Sequence, residues 1–210
     1  MIWLRVDPIR PSPDILERAA AVLARGGVVA YPTDTLYGLA VDPARESAVE
    51  ALFKVKARRA EQAIPLVAAD LTQVERVGRM TPLARVLALR FWPGPLTLVI
   101  EARPGIPEAV QGGTGRVAIR IPDHRVAQGL AAAAGGALTS TSANRSGERP
   151  PSTGDEVASA LGDEVDLLLD GGSSPGGLPS TIVDVAGDEP LLLRTGAVAW
   201  DRVLESLRRR

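Results

Sequence analysis

Short apolar runs alternate with helix-length amphipathic segments along almost the whole chain, and some of the apolar runs follow one another directly. Parallel strands need a long crossover, usually a helix, whereas directly successive strands pair antiparallel through a turn. The chain is thereby restricted to a twisted mixed parallel/antiparallel sheet flanked by helices, an α/β (α+β) fold. A first strand is expected at 2–6. Ser12-Pro13 then has the signature of a helix start, with Ile15, Leu16, Ala19, Val22 and Leu23 on one face and Gly26-Gly27 as the stop. Strands are expected at 28–31 and 39–41, on either side of the tight segment Pro32-Thr33-Asp34-Thr35. The spacing of Val49, Leu52, Phe53 and Lys56 predicts a helix over 47–57. Further strands are expected at 64–68, 96–101, 117–121, 137–140, 165–169, 181–185 and 191–194, and the clearest remaining helices at 82–92, 125–134 and 155–161. With 210 residues, 45% of them apolar, one domain spanning 1–210 with a well-buried core is expected.

Composition removes several classes of function. There is no Cys, which excludes a disulfide framework, a thiol nucleophile and every thiolate metal site, and the single His124 excludes a His-rich one. No metal site is expected. The formal charge of -1 gives no overall attraction to nucleic acid or membrane, so any such attraction must come from a local patch. Charge and Pro8 interrupt the N-terminus before an apolar stretch reaches signal-peptide length, and no run approaches the roughly 18 residues of a membrane helix. A soluble, cytoplasmic chain is expected.

The chemistry-bearing residues sit at strand ends and in loops, where open α/β sheets place their ligands. They fall at 32–38, 56–59, 116–120, 140–144, 180–181 and 194–196. Two loops, 142–152 and 170–180, are rich in Gly, Ser and Pro and longer than connectors need to be. Both lysines, Lys54 and Lys56, lie within three positions in a chain whose other basic residues are all Arg, as a site needing a compact ammonium would require. Each feature also has an ordinary reading. Thr33 and Thr35 are compatible with turn hydroxyls, Lys56 and Arg58 with a solvated helix end, and Ser142 with Asn144 with a Ser/Asn turn. Arg120 alternates with Ile119 and Ile121, so it faces away from them, toward a ligand or toward solvent. His124 reads as a capping or surface residue.

Taken together and in order, these segments resemble the YrdC-like threonylcarbamoyl-AMP synthases. The resemblance is carried by residues 26–39 (Gly26-Gly27 through Pro32-Thr33-Asp34-Thr35-Leu36-Tyr37-Gly38-Leu39), by Lys56 and Arg58, and by Phe91-Trp92-Pro93-Gly94-Pro95-Leu96-Thr97. It continues through Arg120-Ile121-Pro122-Asp123-His124, Ser142 with Asn144, Pro179-Ser180-Thr181, and Leu193-Arg194-Thr195-Gly196. What it implies is a concave, positively charged cavity that takes ATP, L-threonine and bicarbonate and yields threonylcarbamoyl-AMP and pyrophosphate for tRNA modification. On this resemblance Thr35, Arg120, Ser140 and Ser180 would hold threonine. Lys56, Arg58, Gln62, Arg116, Ser142, Asn144 and Arg194 would hold ATP and the departing pyrophosphate, with Lys56 and Arg58 as the catalytic cations and magnesium carried by the nucleotide. The tRNA would be reached indirectly, through threonylcarbamoyl-transfer proteins. Three departures stand out: Arg59 replaces the usual Pro, Val67 stands where many members have a His, and, with the sequence running to Arg210, a short form without the extra C-terminal domain of longer members is expected. As exposed cations, Lys56 and Arg58 are expected to matter to activity and little to stability.

Competing classes are weaker. Neither G-x-x-x-x-G-K-[ST] nor G-x-G-x-x-G occurs. Ser142-Ala143-Asn144 is similar to the Ser-x-Asn element of penicillin-recognising serine enzymes, but no S-x-x-K accompanies it. An RNA-binding module would use an Arg-lined face, yet two Phe, two Tyr and three Trp supply few stacking platforms. An inactive paralogue of the same fold would be expected to have lost one of the pairs Lys56/Arg58 or Ser142/Asn144, and both are present.

Overall fold

The computed structural model describes residues 1–57 and 63–208. In chain order the elements are β1 (Ile2–Arg5), α1 (Pro13–Ala24), β2 (Val29–Tyr31), β3 (Gly38–Ala40), α2 (Glu46–Lys56), β4 (Leu66–Val67), α3 (Leu71–Val77), β5 (Gly78–Arg79) and α4 (Pro82–Phe91). Then follow β6 (Leu96–Ala102), α5 (Glu108–Gln111), β7 (Arg116–Arg120), α6 (Arg125–Ala133), β8 (Leu138–Thr139), β9 (Thr141–Ser142), α7 (Gly154–Leu161), β10 (Leu167–Asp170), β11 (Thr181–Asp184), β12 (Leu191–Arg194) and α8 (Trp200–Arg208). The expected mixed α/β architecture is present, with the strands divided between two sheets. One runs β1-β10-β2-β3-β9 and the other β12-β11-β6-β7-β4-β8, with β5 paired to β6. Both contain parallel and antiparallel pairs.

Strand periodicity sorts the side chains into two clusters. On the central strands Ala30, Leu39, Leu66, Leu98, Ile119, Leu168 and Val183 join the larger core, which also takes the buried faces of α2, α4 and α7. Their neighbours Val29, Tyr31, Ala40, Val67, Leu167 and Leu169 point the other way, against α1 and α6. Those two helices approach closely because α6 carries Gly129: a Cβ there would stand 2.6 Å from Leu16 Cδ1. The sequence expectation for α1 is met with one difference. Ser12 caps with its backbone only, through Leu16 N–H to its carbonyl at 3.2 Å, and its hydroxyl makes no capping bond.

The architecture positions a site through the outer face of the second sheet. Register pairs Thr97 with Ile182, Ile182 with Arg194, Val99 with Ala118, and Val67 with Arg120. Partners in register share a face, so Thr97, Ala118, Arg120 and Arg194 lie opposite the face on which Leu96, Leu98, Val117 and Ile119 enter the core.

Candidate active site

Arg120 ends β7 and is only 6% exposed, so the solvent-facing reading is wrong. Its Nη1 donates to Asp34 Oδ1 at 2.5 Å, and its Nη2 lies 3.3 and 3.4 Å from the hydroxyls of Thr33 and Thr35. A buried guanidinium needs such a partner, because desolvating an unpaired charge costs several kcal/mol. Asp34 is held in turn by the Asp123 backbone N–H, donating to Oδ2 at 3.1 Å. Thr33 is the lock of the 32–37 turn. Its hydroxyl donates to Leu36 O at 2.7 Å and accepts from the backbone N–H of Thr35 and Leu36. The Thr33 and Thr35 hydroxyls stand 3.1 Å apart.

Ser180 and Arg194 form a second group. Arg194 Nε and Nη2 donate to Ser180 O at 3.1 and 2.7 Å, and Nη2 also reaches Ser180 Oγ at 3.1 Å. Thr97, fully buried on β6, sits 2.8 Å from the same Oγ. Burial first, and then the charge of Arg120, pull the Arg194 guanidinium below its ordinary value. Tyr31 donates its phenol hydrogen to Ser140 Oγ at 2.9 Å. Burial pushes that phenol up to about 12, so Tyr31 remains a donor at any working pH and leaves the Ser140 hydrogen to point elsewhere.

Lys56 departs from expectation. It is 4% exposed, not a solvated helix end, and its ammonium donates to the backbone carbonyls of Ser142 and Asn144, both at 2.5 Å. Ser142 Oγ and Asn144 Oδ1 stand at 3.4 and 3.3 Å. The Asn144 amide completes the loop by donating to the carbonyls of Arg145 and Glu148, each at 2.8 Å. Ala57 ends α2 in the left-handed region at φ 47°, a conformation that costs a non-Gly residue about 1 kcal/mol. Arg116 shares the face of Arg120 but is ion-paired to Asp184. Val67, in register with Arg120, is fully buried against α6, so the wall there is apolar. Arg58, Arg59 and Gln62 lie outside the described residues, as do Arg209 and Arg210. His124 occupies the N-cap position of α6 without a side-chain capping bond, and its buried Nδ1 has no partner among the described residues.

The 142–152 and 170–180 loops are joined to the turn at 32–37. Tyr37 N–H donates to Pro151 O, Ser174 N–H to Ser152 O and Gly176 N–H to Thr35 O, while the Tyr37 hydroxyl donates to Gly172 O at 2.7 Å. Hydrogen bonds thus bring Thr35 to Arg120, Ser142 and Asn144 to Lys56, and Ser180 to Arg194 as three groups, with Ser140 held by Tyr31 and Arg116 farther along β7. The sequence placed Asp34 in the 32–38 cluster and Tyr31 and Thr97 in family motifs without giving any of them a role; they fix the orientations of Arg120, Ser140 and Ser180. Such an arrangement can hold carboxylate and phosphate oxygens on guanidinium groups and orient a small polar ligand with hydroxyls. Among the described residues no three Asp, Glu or His lie together as a metal site.

The sequence pattern of the Sua5_yciO_yrdC family, described as telomere recombination, matches residues 21–196. The chain belongs to the Sua5/YciO/YrdC family. Within that family it is similar to a threonylcarbamoyl-AMP synthase of Pyrococcus abyssi, 35% identical over 88% of this chain and 55% of the relative. It is also similar to one of Idiomarina loihiensis, 37% identical over 79% of this chain and 91% of the relative. The chain spans between half and two thirds of the length of the P. abyssi and Bacillus subtilis relatives. Among solved structures, P. abyssi Sua5 complexed with L-threonine superposes with a TM-score of 0.94 at 33% identity, covering 99% of this chain and 61% of that one. Escherichia coli YciO gives 0.86 at 25% identity, covering 95% and 98%.

Proposed function

We propose that this Sua5/YciO/YrdC protein is an L-threonylcarbamoyladenylate synthase, a nucleotidyltransferase. It makes threonylcarbamoyl-AMP and pyrophosphate from L-threonine, bicarbonate and ATP, in the cytoplasm, for threonylcarbamoyladenosine modification of tRNA. The observation that supports this most is the pairing of guanidinium with hydroxyl groups at Arg120 and again at Arg194, in a chain that superposes on a threonine-bound relative over nearly its whole length.

In this reading the threonine amine attacks the carbon of bicarbonate, the bicarbonate hydroxyl leaves with an amine proton as water, and a carbamate forms. A carbamate oxygen then attacks the α-phosphorus of ATP, and the bond to the β-phosphate oxygen breaks to release pyrophosphate. Thr35, Arg120, Ser140 and Ser180 hold threonine. Arg194, Ser142 and Asn144 with Lys56, together with Arg58, Gln62 and Arg116, hold the nucleotide side, Lys56 and Arg58 serving as the catalytic cations. Little covalent work falls to the protein, so positioning and charge stabilisation dominate. Magnesium enters on the nucleotide phosphates, where it keeps waters and phosphate oxygens as ligands and needs no cage of protein carboxylates. Transfer of the threonylcarbamoyl group to tRNA is left to other proteins.

The test is pyrophosphate release by the purified protein with ATP, bicarbonate and each amino acid in turn, with mass spectrometry of the nucleotide product. Threonine-dependent release of threonylcarbamoyl-AMP is expected. ATP binding without turnover would point instead to an inactive paralogue, and salt-sensitive RNA binding without it to an RNA-binding module. Ser180→Ala, which removes a hydroxyl seated between Thr97 and Arg194, is expected to raise KM for threonine about tenfold with KM for ATP little changed. An equal loss for both substrates would make Ser180 structural.

A further inference from the structure

We propose that Asp34 is a positioning residue that fixes the Arg120 guanidinium for the carboxylate of the amino-acid substrate, an inference resting on the function proposed above. A carboxylate is an electrostatic liability in a pocket that receives threonine carboxylate and triphosphate, so its presence calls for a reason. Asp34 supplies one through geometry. Its side chain is 9% exposed, that of Arg120 is 7% exposed, and they meet at 2.5 Å. The second carboxylate oxygen is held by the Asp123 backbone N–H. The pair therefore joins the 32–37 turn to the chain that leaves β7, and neither group can rotate without breaking a bond to a different element.

With Nη1 on Asp34 and Nη2 beside Thr33 and Thr35, Arg120 is anchored along one side before any ligand arrives. A guanidinium carries five N–H donors in a rigid plane, so those not used by Asp34 have their direction set by it. Pairing also divides the charge. Arg120 is neutralised by Asp34, while among the described residues Arg194 is in no ion pair. Arg120 then acts as an oriented carboxylate fork, and Arg194 as the cation whose charge is uncompensated.

Asp34→Asn keeps the shape and an acceptor for the Asp123 N–H but removes the charge pairing. We expect it to raise KM for threonine at least about tenfold, with KM for ATP within about twofold and kcat at saturating threonine nearly retained. In an Arg120→Gln background the same change should cause no further loss in threonine use, because Asp34 acts only through Arg120. Equal shifts in both KM values, or full additivity with Arg120→Gln, would overturn the proposal. A second arm needs no turnover. In nitrogen-15 NMR of the intact protein, the Arg120 Nη hydrogens should be resolved and slow to rotate in the wild type and averaged in Asp34→Asn. Averaged signals in the wild type would overturn the positioning role even if no amino acid is turned over, whereas a wild type with resolved signals and no threonine-dependent turnover would sink the proposed function alone.

Discussion

Lys56→Ala should lose both stability and activity. The ammonium lies between the carbonyls of Ser142 and Asn144 in a site almost closed to water, so removing it breaks two charge-assisted hydrogen bonds and leaves the Ser142 carbonyl with only the Asn144 N–H. Hydrogen bonds to a charged group contribute about 1.5–3 kcal/mol each, and some of the loss is recovered by relaxation, so about 2–4 kcal/mol is expected. Chemical denaturation should show it as a lower midpoint at unchanged slope. Activity should fall by about a hundredfold to a thousandfold in pyrophosphate release, the range for losing one preorganised charge contact, since the Ser142–Asn144 segment loses its anchor. Lys56→Arg should not rescue it, because a planar guanidinium cannot converge on these carbonyls as a compact ammonium does. A variant of wild-type stability would show that the ammonium is not the brace the geometry describes.

Gly196→Ala should be nearly as severe, for a steric reason. A Cβ at Gly196 would overlap Pro179 O and stand 2.5 Å from both the Ser180 carbonyl carbon and the Thr181 nitrogen. All three obstacles are backbone, so no side chain can swing aside, and the strand entry must move. Overpacking costs about 1–3 kcal/mol where side chains can yield, and more is expected here. Because the displaced peptide carries Ser180 and the carbonyl that holds Arg194, threonine-dependent activity should fall below detection even at temperatures where circular dichroism shows the variant fully folded. Retained activity would mean that the 179–181 backbone is free to shift.

The alternation of Val117, Ala118, Ile119, Arg120 and Ile121 made the facing of Arg120 legible in the sequence. Its burial was not, because the carboxylate that permits it is 86 residues away. Lys56 was misread as exposed for the same reason: its acceptors are backbone carbonyls 86 and 88 positions distant, and a carbonyl has no residue-type signature. Long amphipathic elements such as α1 and α6 were evident, while β5 and β9 are two residues each, too short to show a period. The split into two sheets depends on pairings of exactly such short strands. Thr97 carried a signal of its own, a hydroxyl within an apolar run, but one polar residue in a strand does not identify its partner.

The bonds that join the two long loops to the turn at 32–37 have a kinetic consequence. Lifting the 170–180 segment breaks Gly176 N–H to Thr35 O, Ser174 N–H to Ser152 O and the Tyr37 hydroxyl to Gly172 O, while Tyr37 N–H to Pro151 O still holds the 142–152 segment. The 170–180 segment therefore opens only by leaving two neighbouring segments at once. Its opening is a local unfolding unit with its own free energy, and the amides of Ser174 and Gly176 should exchange with solvent together.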